Sequence, residues 1–159
     1  AASEVSPFML NLPYLKILKT VIWTLVILNF YTFLAEGLSF SWPDLFGNNR
    51  PIYVITSTAL EETMKTGSGL GLAAAFALPD SSIIFGLIFG LFEGLVILTF
   101  VADNLENPIE GALFSILFHL LLGLVTSLGY KKSKKIKVGI VIFNTAIHIF
   151  LNLFILANN

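Results

Sequence analysis

The sequence predicts an all-α protein, a polytopic bundle of about five transmembrane helices that forms a single membrane domain over residues 1–159. The chain is 56% hydrophobic and only 12% charged, and its mean hydropathy is +0.87. A soluble domain of this size has too much surface for its volume to hide so many apolar side chains. The apolar residues also form long continuous segments, without the alternation that strands require. Lipid is therefore the expected solvent for most of the chain.

Each of the five segments reaches the roughly 20 residues that a helix needs to cross a bilayer. They run over residues 15–35, 51–78, 81–101, 108–130 and 138–157. Pro51, Pro79 and Pro108 fall at their boundaries, where proline begins or ends a helix. Residues 36–50 mix Trp42 with polar side chains, and we expect an interfacial loop or a short surface helix there. Residues 51–157 then form a four-helix core.

The basic residues predict the orientation. Five of the nine lie in one run between the fourth and fifth segments: Lys131, Lys132, Lys134, Lys135 and Lys137. Basic loops beside apolar segments are typically cytoplasmic, which also applies to Lys16 and Lys19. With five spans, the N-terminus is cytoplasmic and the C-terminus lies outside. The setting of the lysine run argues against a nucleic-acid partner, and the absence of cysteine excludes disulfides and thiolate chemistry.

Six ionisable side chains fall inside the predicted spans, although each charged residue at mid-span costs roughly 2.5–3.5 kcal/mol on insertion scales. They are Glu61, Glu62, Lys65, Glu93, His119 and His148, and Asn152 adds a buried amide. Such residues face a bundle interior or a wet cavity and usually have a function. Glu61, Glu93, His119 and His148 lie about nine to eleven residues from the same end of their helices, a depth of roughly 13–17 Å. We therefore expect the four helices to bring these residues together.

Periodicity indicates which faces turn inward. Ser115, His119, Gly123 and Ser127 recur every four residues, as do Asn144, His148 and Asn152. On the third segment, Gly86, Gly90 and Gly94 form a ridge that allows close helix approach. Residues 67–71 and 73–75 are expected to do the same on the second segment.

Four short motifs occur in order on four consecutive helices. Residues 61–65 read EExxK, residues 89–93 read FxxxE, Gly123 follows His119 by four residues, and residues 148–152 read HxxxN. Over about residues 51–154 this order resembles the PrsW-type membrane proteases, which are relatives of the CAAX prenyl-protease and bacteriocin-processing superfamily. The CAAX enzymes carry Arg at the position of Lys65 and His at that of Glu93, so the resemblance is closer to the PrsW branch.

The resemblance implies an intramembrane protease that hydrolyses peptide bonds of membrane-anchored proteins, in the plasma membrane of a prokaryote. Its site residues would be Glu61, Glu62, Lys65, Glu93, His119, His148 and Asn152. In one mechanism Glu62 or Glu61 is the general base, Glu93 helps to hold the water, and His148 and Asn152 stabilise the oxyanion. In the other, Glu93, His119 and His148, with Glu62 as a further ligand, bind Zn²⁺.

Two other functions stay open at this point. The chain is shorter than typical PrsW proteins, and the superfamily is related to the scaffold subunit of γ-secretase. A non-catalytic scaffold or substrate-binding subunit would carry the same motifs, so a homo-oligomer or a partner subunit is also open. Membrane Glu and His residues form proton relays in transporters as well, although no inverted repeat is evident.

Overall fold

The computed structural model describes residues 13–46, 49–102 and 106–158. It is a bundle of five helices: α1 (Pro13–Phe46), α2 (Arg50–Phe76), α3 (Ser81–Val96), α4 (Pro108–Leu128) and α5 (Lys134–Asn158). A π-helical turn, Ile97–Val101, continues α3. The described residues contain no strand, so the predicted all-α class is confirmed.

Four helices of the described part are long and apolar enough to cross a membrane: Pro13–Phe33, Ser81–Phe100, Pro108–Leu128 and Lys134–Ile155. The outward faces of these helices carry large apolar side chains, such as Leu95 and Leu117, which are 59% exposed. A water-soluble fold would not leave so many uncovered. The chain is therefore an integral membrane protein.

The fifth predicted span is α2, which is long enough at 27 residues but carries Glu61, Glu62 and Lys65. It packs against all four other helices, and Glu62 and Lys65 are buried among them. Proteins in lipid must turn such groups away from the hydrocarbon. The bundle interior thus accommodates α2 in spite of its polarity.

Helix α1 is longer than the sequence indicated. It continues as far as Phe46, where an interfacial loop or a short surface helix was expected for residues 36–50. No proline interrupts the chain between Pro13 and Pro43, and extending an existing helix adds one hydrogen bond for each residue fixed. A loop over the whole of 36–50 was therefore wrong, and the side chains of residues 34–46 lie outside the described part.

Close contact between α3 and α4 fixes the position of the site. A Cβ added to Gly86 would fall on the carbonyl oxygen of His119, and one added to Gly123 would lie 2.7 Å from the carbonyl oxygen of Ser82. The ridge of small residues on α3 is confirmed. On α2 the expectation for residues 67–71 and 73–75 holds for Gly69, which faces Ser82, and for Ala73, which is fully buried. Gly67 and Gly71 have nothing within 4 Å, and Ala74 and Ala75 are exposed.

On its inner face α1 presents two threonines and a leucine. Thr20 and Thr24 are fully buried and Leu28 is 5% exposed. The Thr20 hydroxyl lies 2.9 Å from that of Ser81 at the start of α3, while Leu28 packs with Leu72, Phe85 and Phe89 in a small apolar core. Phe89 of this core also contacts the Lys65 ammonium of α2, which lies 4.4 Å from the centre of its ring.

Candidate functional site

The six ionisable residues of the spans meet inside the bundle, as their depths predicted. We call them the acid–imidazole cluster: Glu61, Glu62 and Lys65 on α2, Glu93 on α3, His119 on α4 and His148 on α5. Direct contacts link all six, and the two imidazole rings lie 5.4 Å apart, centre to centre. Four helices therefore contribute to one site.

Glu62 is the most enclosed acid and holds His148. Its Oε2 atom accepts a hydrogen bond from His148 Nδ1 at 2.9 Å and lies 3.1 Å from the Lys65 ammonium. Its Oε1 atom accepts from the Thr66 hydroxyl at 3.1 Å. The residue is 2% exposed. A carboxylate bound to one ring nitrogen fixes the orientation of an imidazole and leaves the other nitrogen available.

Thr66 is in turn held by Asn144 of α5. The Asn144 amide donates to Thr66 at 3.1 Å and to Thr126 of α4 at 3.0 Å. Both hydroxyls already donate elsewhere, to Glu62 and to the Leu122 carbonyl, so both accept from the amide. This network ties α2, α4 and α5 together beside Glu62.

Glu93 forms the second acid–imidazole pair. Its Oε2 atom contacts His119 Nε2 and accepts a hydrogen bond from the Ser115 hydroxyl at 2.9 Å. Unlike Glu62, the side chain of Glu93 is 37% exposed. It is a fixed carboxylate with open space beside it.

Lys65 joins the two pairs and determines the tautomer of His119. Its ammonium donates to Glu61 at 2.7 Å and lies 3.2 Å from His119 Nδ1, with the face of Phe89 on another side. An ammonium group can only donate, so Nδ1 accepts and the ring proton of His119 is on Nε2. His119 is therefore neutral and donates to Glu93.

A cavity of about 260 Å³ lies between the end of α3, the start of α4 and the end of α5. Its polar wall consists of Glu93, Ser115, His119, His148 and Asn152. Its other wall is apolar and reaches Phe114 and Ile155, which are 52% and 49% exposed on the outside of the bundle. The cavity thus extends from the lipid-facing surface to Glu93 and both histidines, whereas Glu61 and Glu62 do not line it.

The π-helical turn adds to this wall. Ile97, its first residue, lines the cavity and lies four residues after Glu93. Isolated π-helical turns within helices are frequent at functional sites because the wider turn redirects the neighbouring side chains. No pattern in the sequence predicts this turn.

Asn152 lies on the cavity wall but is not free. Its amide donates to Thr58 of α2 at 2.8 Å, which leaves one N–H for another acceptor. Among the predicted site residues of the described chain, Asn152 alone has no hydrogen bond or ion pair to the cluster. Its placement beside His148 follows from the four-residue spacing on α5.

The cluster also contains a set of possible metal ligands. One ligand atom each from Glu61, His119 and His148 lie within 4.8 Å of one another, so three donors converge. However, Lys65 already binds Glu61 and His119 Nδ1, and Glu93 takes the other nitrogen of His119. A dication beside that ammonium would be repelled. As arranged, the donors do not fit a metal ion.

The zinc ligands expected from the sequence are divided between the two pairs. Glu62 engages His148 and Glu93 engages His119, so each carboxylate binds an imidazole instead of a shared centre. Zinc binding remains a prediction of the sequence, and we derive no catalytic step through it.

Sequence reasoning omitted three participants from the site. Ser115 binds Glu93, Thr66 binds Glu62, and the Tyr31 phenol of α1 lies beside Glu61. Tyr31 could have been found, because it continues the inner stripe of Thr20, Thr24 and Leu28 at helical spacing. Thr66 likewise stands one turn after Glu62.

Comparison of the chain with protein-family models, curated proteins and solved structures finds no match.

Proposed function

We propose that this chain is an intramembrane peptidase that uses buried carboxylates and imidazoles, without a resident metal, to add water to a peptide bond. The observation that carries the proposal is the cavity wall. There, a hydrogen-bonded carboxylate, two oriented imidazoles and an amide face one space that reaches the lipid side of the bundle. General acid–base hydrolysis needs these groups within reach of one another.

Glu93 is the general base in this proposal, in place of the Glu61–Glu62 pair named from the sequence. Glu62 already accepts two hydrogen bonds, pairs with Lys65 and does not line the cavity. Glu93 lines the cavity, and its Oε1 atom has no hydrogen bond within the described part of the chain. Bonds from His119 and Ser115 orient the Glu93 carboxylate. It takes a proton from water as the water oxygen bonds to the carbonyl carbon.

His148 and Asn152 then stabilise the charge that develops on the carbonyl oxygen. Because His148 Nδ1 donates to Glu62, an Nε2–H is available to the cavity only when both ring nitrogens carry a proton, and we assign this form to His148 in the reaction. The second N–H of Asn152 lies on the same wall. Preorganised donors of this kind stabilise an oxyanion more strongly in a water-poor site than in water. The C–N bond breaks as the proton held by Glu93 passes to the leaving nitrogen.

The substrate class follows from the position of the cavity. Its apolar rim lies on helices that span the membrane, so the occupant arrives through lipid. Phe114, Phe118, Leu151 and Ile155 form a wall suited to apolar side chains, with polar groups only at the deep end. A membrane-anchored protein segment meets both requirements.

The experiment identifies the N-termini of membrane proteins, including those newly created by cleavage. It compares cells that produce the wild-type chain with cells that produce Glu93→Gln or His148→Ala. Glu110→Gln is the matched control, because Glu110 is an exposed carboxylate in the first turn of α4 that does not line the cavity. New N-termini in or beside membrane spans are expected with wild type and the control and are absent with the other two. An identical set of termini with Glu93→Gln would reject the proposed base.

A further inference from the structure

A second, much smaller cavity adjoins the acid–imidazole cluster, and His119 lines both cavities. It has a volume of about 20 Å³ and lies between α2, α3 and α4. Its polar lining residues are Glu62, Lys65, Thr66, Ser82, His119 and Thr126. A single water molecule needs roughly 10–15 Å³ measured in this way, so the space admits one water and not two.

The buried hydroxyl of Ser82 indicates that this cavity contains a bound molecule. It is 2% exposed, it lines the cavity, and its hydroxyl has no hydrogen-bond partner among the described residues. Leaving a buried hydroxyl unpaired costs about 1–3 kcal/mol, and buried polar groups in proteins are normally paired with protein or ordered water.

The other walls offer the acceptors that a water would need. Glu62 Oε1 accepts only from Thr66, and the Thr66 and Thr126 hydroxyls each donate once and accept once from Asn144. Each of these three oxygens therefore keeps a free lone pair. Ser82 is the donor, because the Lys65 ammonium already contacts Glu61, Glu62 and His119.

We infer that this cavity binds one water molecule, which accepts from Ser82 and donates to two of the oxygens of Glu62, Thr66 and Thr126. Three hydrogen bonds are the usual number for a buried water. A monovalent cation would meet the same oxygens but would lie beside the Lys65 ammonium, and an anion would lie beside the Glu62 carboxylate. A neutral ligand avoids both repulsions. The water links Ser82 of α3 by hydrogen bonds to the network around Glu62. This inference does not depend on the proposed hydrolysis.

The test uses thermal unfolding of the purified full chain in detergent, because a wet and a dry cavity predict opposite signs. If Ser82 binds water, Ser82→Ala removes the donor and lowers Tm by about 2–4 °C. If the cavity is dry, the same variant removes an unpaired buried hydroxyl and raises Tm. A rise or an unchanged Tm therefore overturns the inference. Ser127→Ala, which alters an exposed hydroxyl on α4, controls for the loss of a serine.

A second pair of variants tests the same point independently of Ser82. A Cβ on Gly69 would lie 3.4 Å from Ser82 Oγ, an ordinary contact, and would enter the cavity, whereas a Cβ on Gly71 meets nothing within 4 Å. Both Gly→Ala changes gain the same helix propensity. Displacing a bound water leaves Gly69→Ala less stable than Gly71→Ala, and filling a dry void makes it more stable. Equal Tm values in sodium and choline buffers are also expected, and a sodium-specific stabilisation would show a cation site instead.

Discussion

Replacing Lys65 with methionine removes the one cation that joins both acid–imidazole pairs while keeping a long, unbranched side chain. In the wild-type chain the ammonium lies 2.7 Å from Glu61, 3.1 Å from Glu62 and 3.2 Å from His119 Nδ1. Removing one partner of a buried ion pair costs about 3–5 kcal/mol, because the other partner remains buried without compensation. At about 2–4 °C per kcal/mol for a chain of this size, Lys65→Met lowers Tm by about 6–20 °C.

A divalent metal ion is expected to restore part of this loss. With the ammonium gone, Glu61, His119 and His148 present three donors within 4.8 Å of one another, a set suited to Zn²⁺ or Co²⁺. The assay measures Tm and the visible absorption of Co²⁺ for wild type, Lys65→Met and Lys135→Met, an exposed control. Co²⁺ should bind and stabilise only Lys65→Met. A Tm within 2 °C of wild type, or equal Co²⁺ binding by the wild-type chain, would refute our assignment of Lys65 as the cation of the site.

Two further predictions concern the helix contact and the large cavity. Gly86→Ala places a methyl group against the His119 carbonyl oxygen and should lower Tm by about 2–12 °C, because overpacking costs about 1–3 kcal/mol. Gly67→Ala is the control and should not lower Tm, since a Cβ there has nothing within 4 Å. Equal Tm values for the two variants would contradict the close packing of α3 on α4. Because the chain lacks cysteine, a charged, water-soluble thiol reagent can probe single replacements. The reagent should modify the cysteine of Ile97→Cys, because residue 97 lines the cavity. It should not modify the cysteine of Leu117→Cys, because residue 117 faces lipid. If neither cysteine reacts, the cavity contains no water.

Much of the fold could be predicted because lipid imposes simple rules. Charged residues in a span must face inward, and this rule together with their similar depths predicted that Glu61, Glu93, His119 and His148 meet. The bounds of α3 and α4 follow from Pro79, Pro108 and the polar residues beside them. The C-terminal end of α1 could not be predicted in this way, because amphipathic residues after a span are compatible with both a loop and a continued helix.

The roles within the site could not be predicted from residue types. The sequence alone does not distinguish Glu61, Glu62 and Glu93 as candidate bases. In the structure Glu62 and Glu93 each pair with a histidine, but only Glu93 lines the large cavity. The same limit applies to zinc, because two His and two Glu residues at one depth suit a metal centre as well as two separate pairs. Only the position of the Lys65 ammonium between the donors distinguishes these arrangements, and that position depends on how α2 is rotated against α4.

The most direct measurement of the central claim is hydrolysis by the isolated chain, reconstituted in liposomes with a membrane substrate identified from its cleaved N-terminus, in H₂¹⁸O. We expect wild type to release a product with one ¹⁸O in its new carboxyl terminus. Glu93→Gln should be slower by about 10²–10⁴-fold, the usual contribution of a general base. Cleavage by Glu93→Gln at the wild-type rate, or no cleavage by the wild-type chain alone, would contradict the account, and the second result would favour a non-catalytic subunit.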